Sequence, residues 1–217
     1  MNWTSYLSQN SSTILRDLGI HVVLALIPLA LGFVLALPLG YWARRFGKAY
    51  TPLMATSSIL YSIPSLALFV LLPGILGIPI ISPLNIIIGL TLYTAALLVR
   101  TVADGLASVP EHVNQAATAV GYRRLRRLTR VELPIAVPVI ISGLRVASVT
   151  NISLVSVGAL IGIGGLGQLF TDGFQRDFLT PIIVGIVLII LLSILADTVL
   201  VLIQRVLTPW AKAEASR

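Results

Sequence analysis

Five apolar runs divide this chain, separated by short polar breaks: Ile20–Trp42, Leu53–Leu76, Leu84–Val99, Ile135–Ile161 and Pro181–Gln204. A helix rises about 1.5 Å per residue, so about 20 apolar residues cross the hydrocarbon core of a bilayer. The pattern therefore predicts an all-α integral membrane protein with five transmembrane helices. Pro28 and Pro38 predict kinks in the first span. Tyr61-Ser62-Ile63-Pro64-Ser65 is a polar break halfway along the second, and the third is expected to begin early, near Ile80, and to end at Arg100. Residues 1–19 are polar and read as an exposed segment, a helix lying at the interface. Residues 20–207 form the membrane domain and 208–217 a tail.

One long polar stretch interrupts the apolar runs, Ser108 to Pro134. Ser108 is placed to cap a helix, with Pro110 in its first turn and Glu111 as a capping-box partner. Val109, Val113, Ala116, Ala117 and Val120 then recur at helical spacing and predict one apolar face. Gly121 stands where a left-handed stop is needed. A second short helix is expected to carry Leu125, Leu128 and Val131 on one side, with Arg123, Arg124, Arg126, Arg127 and Arg130 around the other and Pro134 as its boundary. The stretch is thus a helical hairpin.

Composition narrows the class. Of 217 residues, 57% are hydrophobic and 11% charged, which leaves almost no material for a soluble domain. There is no cysteine, so disulfides and thiolate metal sites are excluded. The net charge of +7 reads as topology rather than as a nucleic-acid surface. Arg44, Arg45, Lys48, Arg100, the five hairpin arginines, Arg205, Lys212 and Arg217 share one side of the predicted bundle; only Arg16 and Arg176 lie on the other. The positive-inside rule then puts the hairpin and the C-terminus in the cytoplasm and the N-terminus outside.

No catalytic constellation is present. The chain has no Gly-x-x-x-x-Gly-Lys-Ser/Thr loop, so it does not bind ATP in that way. Gly162-Ile163-Gly164-Gly165-Leu166-Gly167 matches a dinucleotide fingerprint in letters only, since it ends a membrane span and lies in no βαβ unit. His21 and His112 have no second metal-ligating side chain at ligand spacing, so no metal site is expected. Arg145 and Asp197 lie at similar depth within spans four and five and are expected to form an ion pair, because isolated charges are costly there. Tyr61, Ser62, Ser65, Asn151, Ser153 and Ser156 give spans two and four polar stripes. These residues are candidates either to line a path or to hydrogen-bond between helices.

Gln115-Ala116-Ala117, three residues, Gly121, nine residues and Val131-Glu132-Leu133-Pro134 resemble the EAA motif of ABC-importer permeases, with Gln for Glu and Val for Ile. The resemblance implies a MetI-like ABC permease fold whose cytoplasmic hairpin docks on an ATP-binding subunit, through Glu111, Gln115, Ala116, Ala117, Gly121, Arg123 and Arg124. It also implies that ATP and Mg²⁺ sit on the partner subunits and no cofactor on this chain. The remaining partners implied are a second permease subunit, identical or a sister chain, an extracytoplasmic binding protein and the lipid bilayer, with no nucleic acid. The glycine segment is similar to the end of the fourth span in that family, so Gly162, Gly164, Gly165 and Gly167 are outer-gate candidates. Ser62-Ile63-Pro64-Ser65-Leu66-Ala67-Leu68-Phe69 and Val131 to Pro138 resemble the osmoprotectant branch, which carries glycine betaine, carnitine or choline. Methionine-type amino-acid permeases are the alternative within the family. A stand-alone secondary transporter is the alternative outside it, though no internal repeat of that class is evident.

Overall fold

The computed structural model describes residues 3–210. Its central element is α4 (Pro83–Ala107), which Ser82 caps by accepting the Leu84 N–H, with Pro83 in the first turn. Asn85, Ile86, Leu90, Leu98 and Val102 of α4 are fully buried, and the other elements wrap around them. α1 (Trp3–Arg45) lies along one side of α4, and α7 (Leu133–Val155) along another. Small residues set these contacts. A Cβ on Gly32 of α1 would lie 2.5 Å from Thr94 Cβ, and one on Gly143 of α7 would lie 2.3 Å from Thr101 Cγ2. In lipid, where apolar side chains gain little by leaving their solvent, such close backbone approach supplies the packing.

α1 is one continuous helix of 43 residues, about 64 Å at helical rise, so it outruns the bilayer. The expected separate segment over residues 1–19 is corrected accordingly: from Trp3 onward it is the first half of α1. Its outer face is exposed, but Tyr6, Asn10, Ile14, Asp17 and His21 recur every three or four residues. Ile14, Asp17 and His21 among them are buried against the rest of the fold. A polar composition concealed a helical stripe.

The second span is broken. α2 (Gly47–Ser62) and α3 (Ser65–Leu76) meet at 103° around Ile63-Pro64. Proline lacks an N–H and disfavours helix in the residue before it, which separates the two arms. The bend is braced by α4: Tyr93 donates its hydroxyl to Ile63 O, and Asn85 Nδ2 donates to Phe69 O at 2.8 Å and Ile80 O at 3.0 Å. Among the described residues, four helices are long and apolar enough to cross a membrane, five if the bent pair counts as one span. The third span starts at Pro83 rather than near Ile80, and its helix continues past Arg100 to Ala107.

The polar hairpin follows. Ser108 ends α4 and donates to Gly105 O, so it is not the cap of the next helix. Pro110 takes that position for α5 (Glu111–Ala119). α6 (Arg124–Arg127) passes through a wide π turn, Leu128–Glu132, directly into α7. Pro134 is therefore not a boundary. The Leu133 N–H reaches back five residues to Leu128 O, and the wider turn makes room for the proline ring. A 3₁₀ turn (Ser156–Ile161) ends α7; the glycine segment, α8 (Gln168–Gln175) and α9 (Leu179–Leu207) follow. One face of α9 meets α7 and α8, while Ile186, Ile190 and Ile194 stay exposed on the other. Tail residues 211–217, including the cations Lys212 and Arg217, lie outside the described residues.

Candidate functional site

The hairpin tip is set by the end of α5. The Tyr122 N–H bonds to Ala117 O and the Gly121 N–H to Thr118 O, both at 3.0 Å, while Gly121 has φ +87°. This paired closure is a Schellman motif, and it requires a residue at ease in the left-handed region. Glu111, Gln115, Ala116, Arg123 and Arg124 all face outward and are exposed. Ala117 is corrected: it is 7% exposed and packs toward the bundle beside Asn114, so it holds the helix rather than offering a surface. The expected apolar face is rotated too, because Ala116 and Val120 point outward, Val120 with 75% exposure. Val120 and Leu125 therefore flank Gly121 as exposed apolar side chains, a cost unless something covers them.

Arg127 joins the two arms. Its Nε donates to Glu132 Oε1 at 2.7 Å and its Nη1 to Thr118 Oγ1 at 2.9 Å. This tie has no signature in the residue spacing, since the π turn brings residues five apart into register. Arg127→Ala is expected to reduce uptake about two- to fivefold, the effect of losing about 0.5–1 kcal/mol from a partly exposed pair. Transport assays beside wild type would read it, and unchanged uptake would mean that α5 and α6 hold together without it.

The polar stripes separate into two groups. Tyr61 and Ser62 are exposed and line a cleft of about 440 Å³ between α2 and α4, with Ser57, Arg100 and Asp104. Ser65 is half-buried at the start of α3; Ser153 is exposed and Ser156 half-buried at the end of α7. Asn151 takes the helix-to-helix alternative. It is 1% exposed, with Nδ2 2.9 Å from Thr94 Oγ1 and donating to Ala25 O at 3.4 Å. It ties α7 to α4 and α1 inside the core and lines no path.

Gly162 and Gly165 have φ of +82° and +104°, and Gly167 sits so close to the 3₁₀ turn that a Cβ would lie 2.5 Å from Ser156 O. Gly164 is not crowded in this way. The segment is anchored by fully buried His21. Its Nδ1 accepts the Leu166 N–H at 3.2 Å, which leaves the proton on Nε2 to bond Ile152 O at 2.8 Å. One neutral imidazole thus joins α1, α7 and the glycine segment. Where α7 meets α9, Arg145 grips a half-exposed Asp197 through two bonds, Nε to Oδ1 at 2.6 Å and Nη2 to Oδ2 at 2.9 Å. Among the described residues, no three metal-ligating side chains come together.

Residues 28–211 match the profile of the family described as binding-protein-dependent transport system inner membrane component. The chain is 33% identical, over 96% of its length and 98% of the relative's, to the osmoprotectant import permease protein OsmW of Salmonella typhimurium. It is 28% identical to the glycine betaine/carnitine/choline transport system permease protein OpuCD of Bacillus subtilis, over 98% and 92% of the two chains. Its fold superposes on a chain of the inward-facing MetNI methionine ABC transporter with a TM-score of 0.83, at 24% identity, covering 92% of this chain and 98% of that one.

Proposed function

This chain belongs to the family of inner membrane components of binding-protein-dependent transport systems, and we propose that within it the chain carries osmoprotectants such as glycine betaine, carnitine or choline. It is a multi-pass permease subunit of an ABC importer. Hydrolysis of ATP belongs to partner subunits, and a substrate-binding protein completes the system. The observation that carries the solute proposal is the near full-length similarity to OsmW. The motif likeness of Ser62 to Phe69 points the same way.

In the proposed cycle, a loaded binding protein docks outside, on the side of the α1 start. ATP and Mg²⁺ on the ATP-binding subunits draw those subunits together. The exposed face of the hairpin, Glu111, Gln115, Ala116, Arg123 and Arg124 with the turn at Gly121, moves with them. α6 runs without a break into α7, so motion of the hairpin passes straight to the helix that carries Ser153 and to Ser156 just past its end. Nucleotide shifts the population between inward- and outward-open states because it binds the two with different affinity. A second permease subunit, the same chain or a sister, completes the path, whose surface here includes Tyr61, Ser62 and Ser65. Gly162, Gly164, Gly165 and Gly167 close its outer end, held by His21.

Reconstitution with the ATP-binding subunits and a loaded binding protein tests this directly. ATP-dependent uptake of glycine betaine, carnitine or choline is expected, with no uptake when the ATP-binding subunits are omitted. Uptake of none of the three, beside ATP-driven uptake of an unrelated amino acid, would refute the solute assignment.

A further inference from the structure

A second polar cavity, of about 440 Å³, opens where the start of α1 meets α8 and the start of α9, far along α1 from the hairpin. Its volume falls in the range of small-molecule sites, about 300–1,000 Å³. Asp17 lies in its wall with a side chain only 3% exposed. Among the described residues its one hydrogen-bond partner is Arg16 Nη2, at 3.5 Å, and the Arg16 side chain is itself 68% exposed. The carboxylate is therefore buried with little to offset its charge. Tyr6, on the same helix as Asp17, and Phe178 also line the cavity and meet edge to face with centroids 5.8 Å apart. Phe178 is held there by a tight turn: Asp177 has φ +50°, and the Phe178 N–H bonds to Gly173 O at 2.9 Å. Asp172 of α8 and Arg176, just past its end, line the same space.

We propose that this cavity is a receiving site for a quaternary ammonium group, held between the Tyr6–Phe178 pair and Asp17. A trimethylammonium head has no N–H to donate. It is recognised by aromatic surface and by diffuse attraction to a carboxylate rather than by directed hydrogen bonds, and this cavity supplies both. Arg16 and Arg176 stand ready for the carboxylate of a zwitterionic solute, with Asp172 adding to the field on the cation. The inference rests on the outward placement of the α1 start and on the solute class proposed above. It adds a waypoint on the permease itself between the binding protein and the membrane path.

The test uses the full permease assembled with its ATP-binding subunits in nanodiscs, without binding protein, and tetramethylammonium as the probe. Saturation-transfer NMR is expected to detect binding with a Kd of roughly millimolar, and none for ammonium at the same concentration. Asp17→Asn and Phe178→Leu should each weaken it at least about fivefold. Phe178 is 41% exposed at the rim, so its variant decides the matter if Asp17→Asn lowers the Tm. No transfer to wild type, or equal transfer to Phe178→Leu, overturns the site. Normal osmoprotectant uptake with no tetramethylammonium bound would sink this inference and leave the solute assignment standing. Binding here with no osmoprotectant uptake would do the reverse.

Discussion

Gly121→Val is expected to lower uptake and substrate-stimulated ATPase activity about tenfold while leaving the permease folded in the membrane. The reason is local. At φ +87° an L side chain pays about 1–2 kcal/mol, and a β-branched one sits at the upper end. Nothing lies within 4 Å of where its Cβ would be, so no clash contributes and the effect is purely conformational. The variant can relax only by leaving the left-handed region, which opens the Tyr122–Ala117 and Gly121–Thr118 closure and redirects α6 relative to α5. Gly121→Asn should do much less harm, because asparagine tolerates this region. Equal losses in Val and Asn variants would point to a cause other than φ, and full activity in Gly121→Val would remove the turn from the coupling account.

Neutralising one member of the Arg145–Asp197 pair should harm assembly more than any other single change outside the hairpin. Arg145→Met leaves Asp197 charged within a membrane span, and Asp197→Leu leaves Arg145 so; a lone charge there is costly, a partnered one far less. The expected readout is a several-degree fall in Tm and a marked loss of folded permease for each single variant. The double variant, with both charges gone and the bulk kept, should recover most of that stability. The exchange Arg145→Asp with Asp197→Arg should recover part, since the two-bond geometry is built for a guanidinium on α7. Failure of both doubles to recover would argue that the charges are needed separately. A double variant that folds but no longer transports would show that the pair takes part in the cycle.

The broad outline was legible because lipid imposes simple rules. Apolar length located the spans, and the break at Ile63-Pro64 marked the 103° bend. The spacing from Gln115 to Pro134 located the hairpin. What escaped was decided by contacts between distant segments. Asp17 sits in a stretch that looks polar and exposed and His21 at the edge of the first apolar run, and only the packing of α8 and the glycine segment against α1 buries them. Asn151 belongs to a serine-bearing stripe, yet Thr94 and Ala25 O claim it for the core. Pro134 resembles a helix stop, and a π turn carries the helix through it. Ala117 keeps its place in the motif but turns inward, so the motif locates the hairpin without saying which of its residues a partner touches.

The Gln115–Gly121 tip is expected to lie in the cytoplasm against an ATP-binding subunit. The chain has no cysteine of its own, so Gln115→Cys creates a unique thiol. Cross-linking in the intact assembly should join that thiol to the ATP-binding subunit, and a membrane-impermeant reagent added outside sealed cells should fail to label it. Labelling from outside, or no link to the ATP-binding subunit in a transport-competent assembly, would contradict the account.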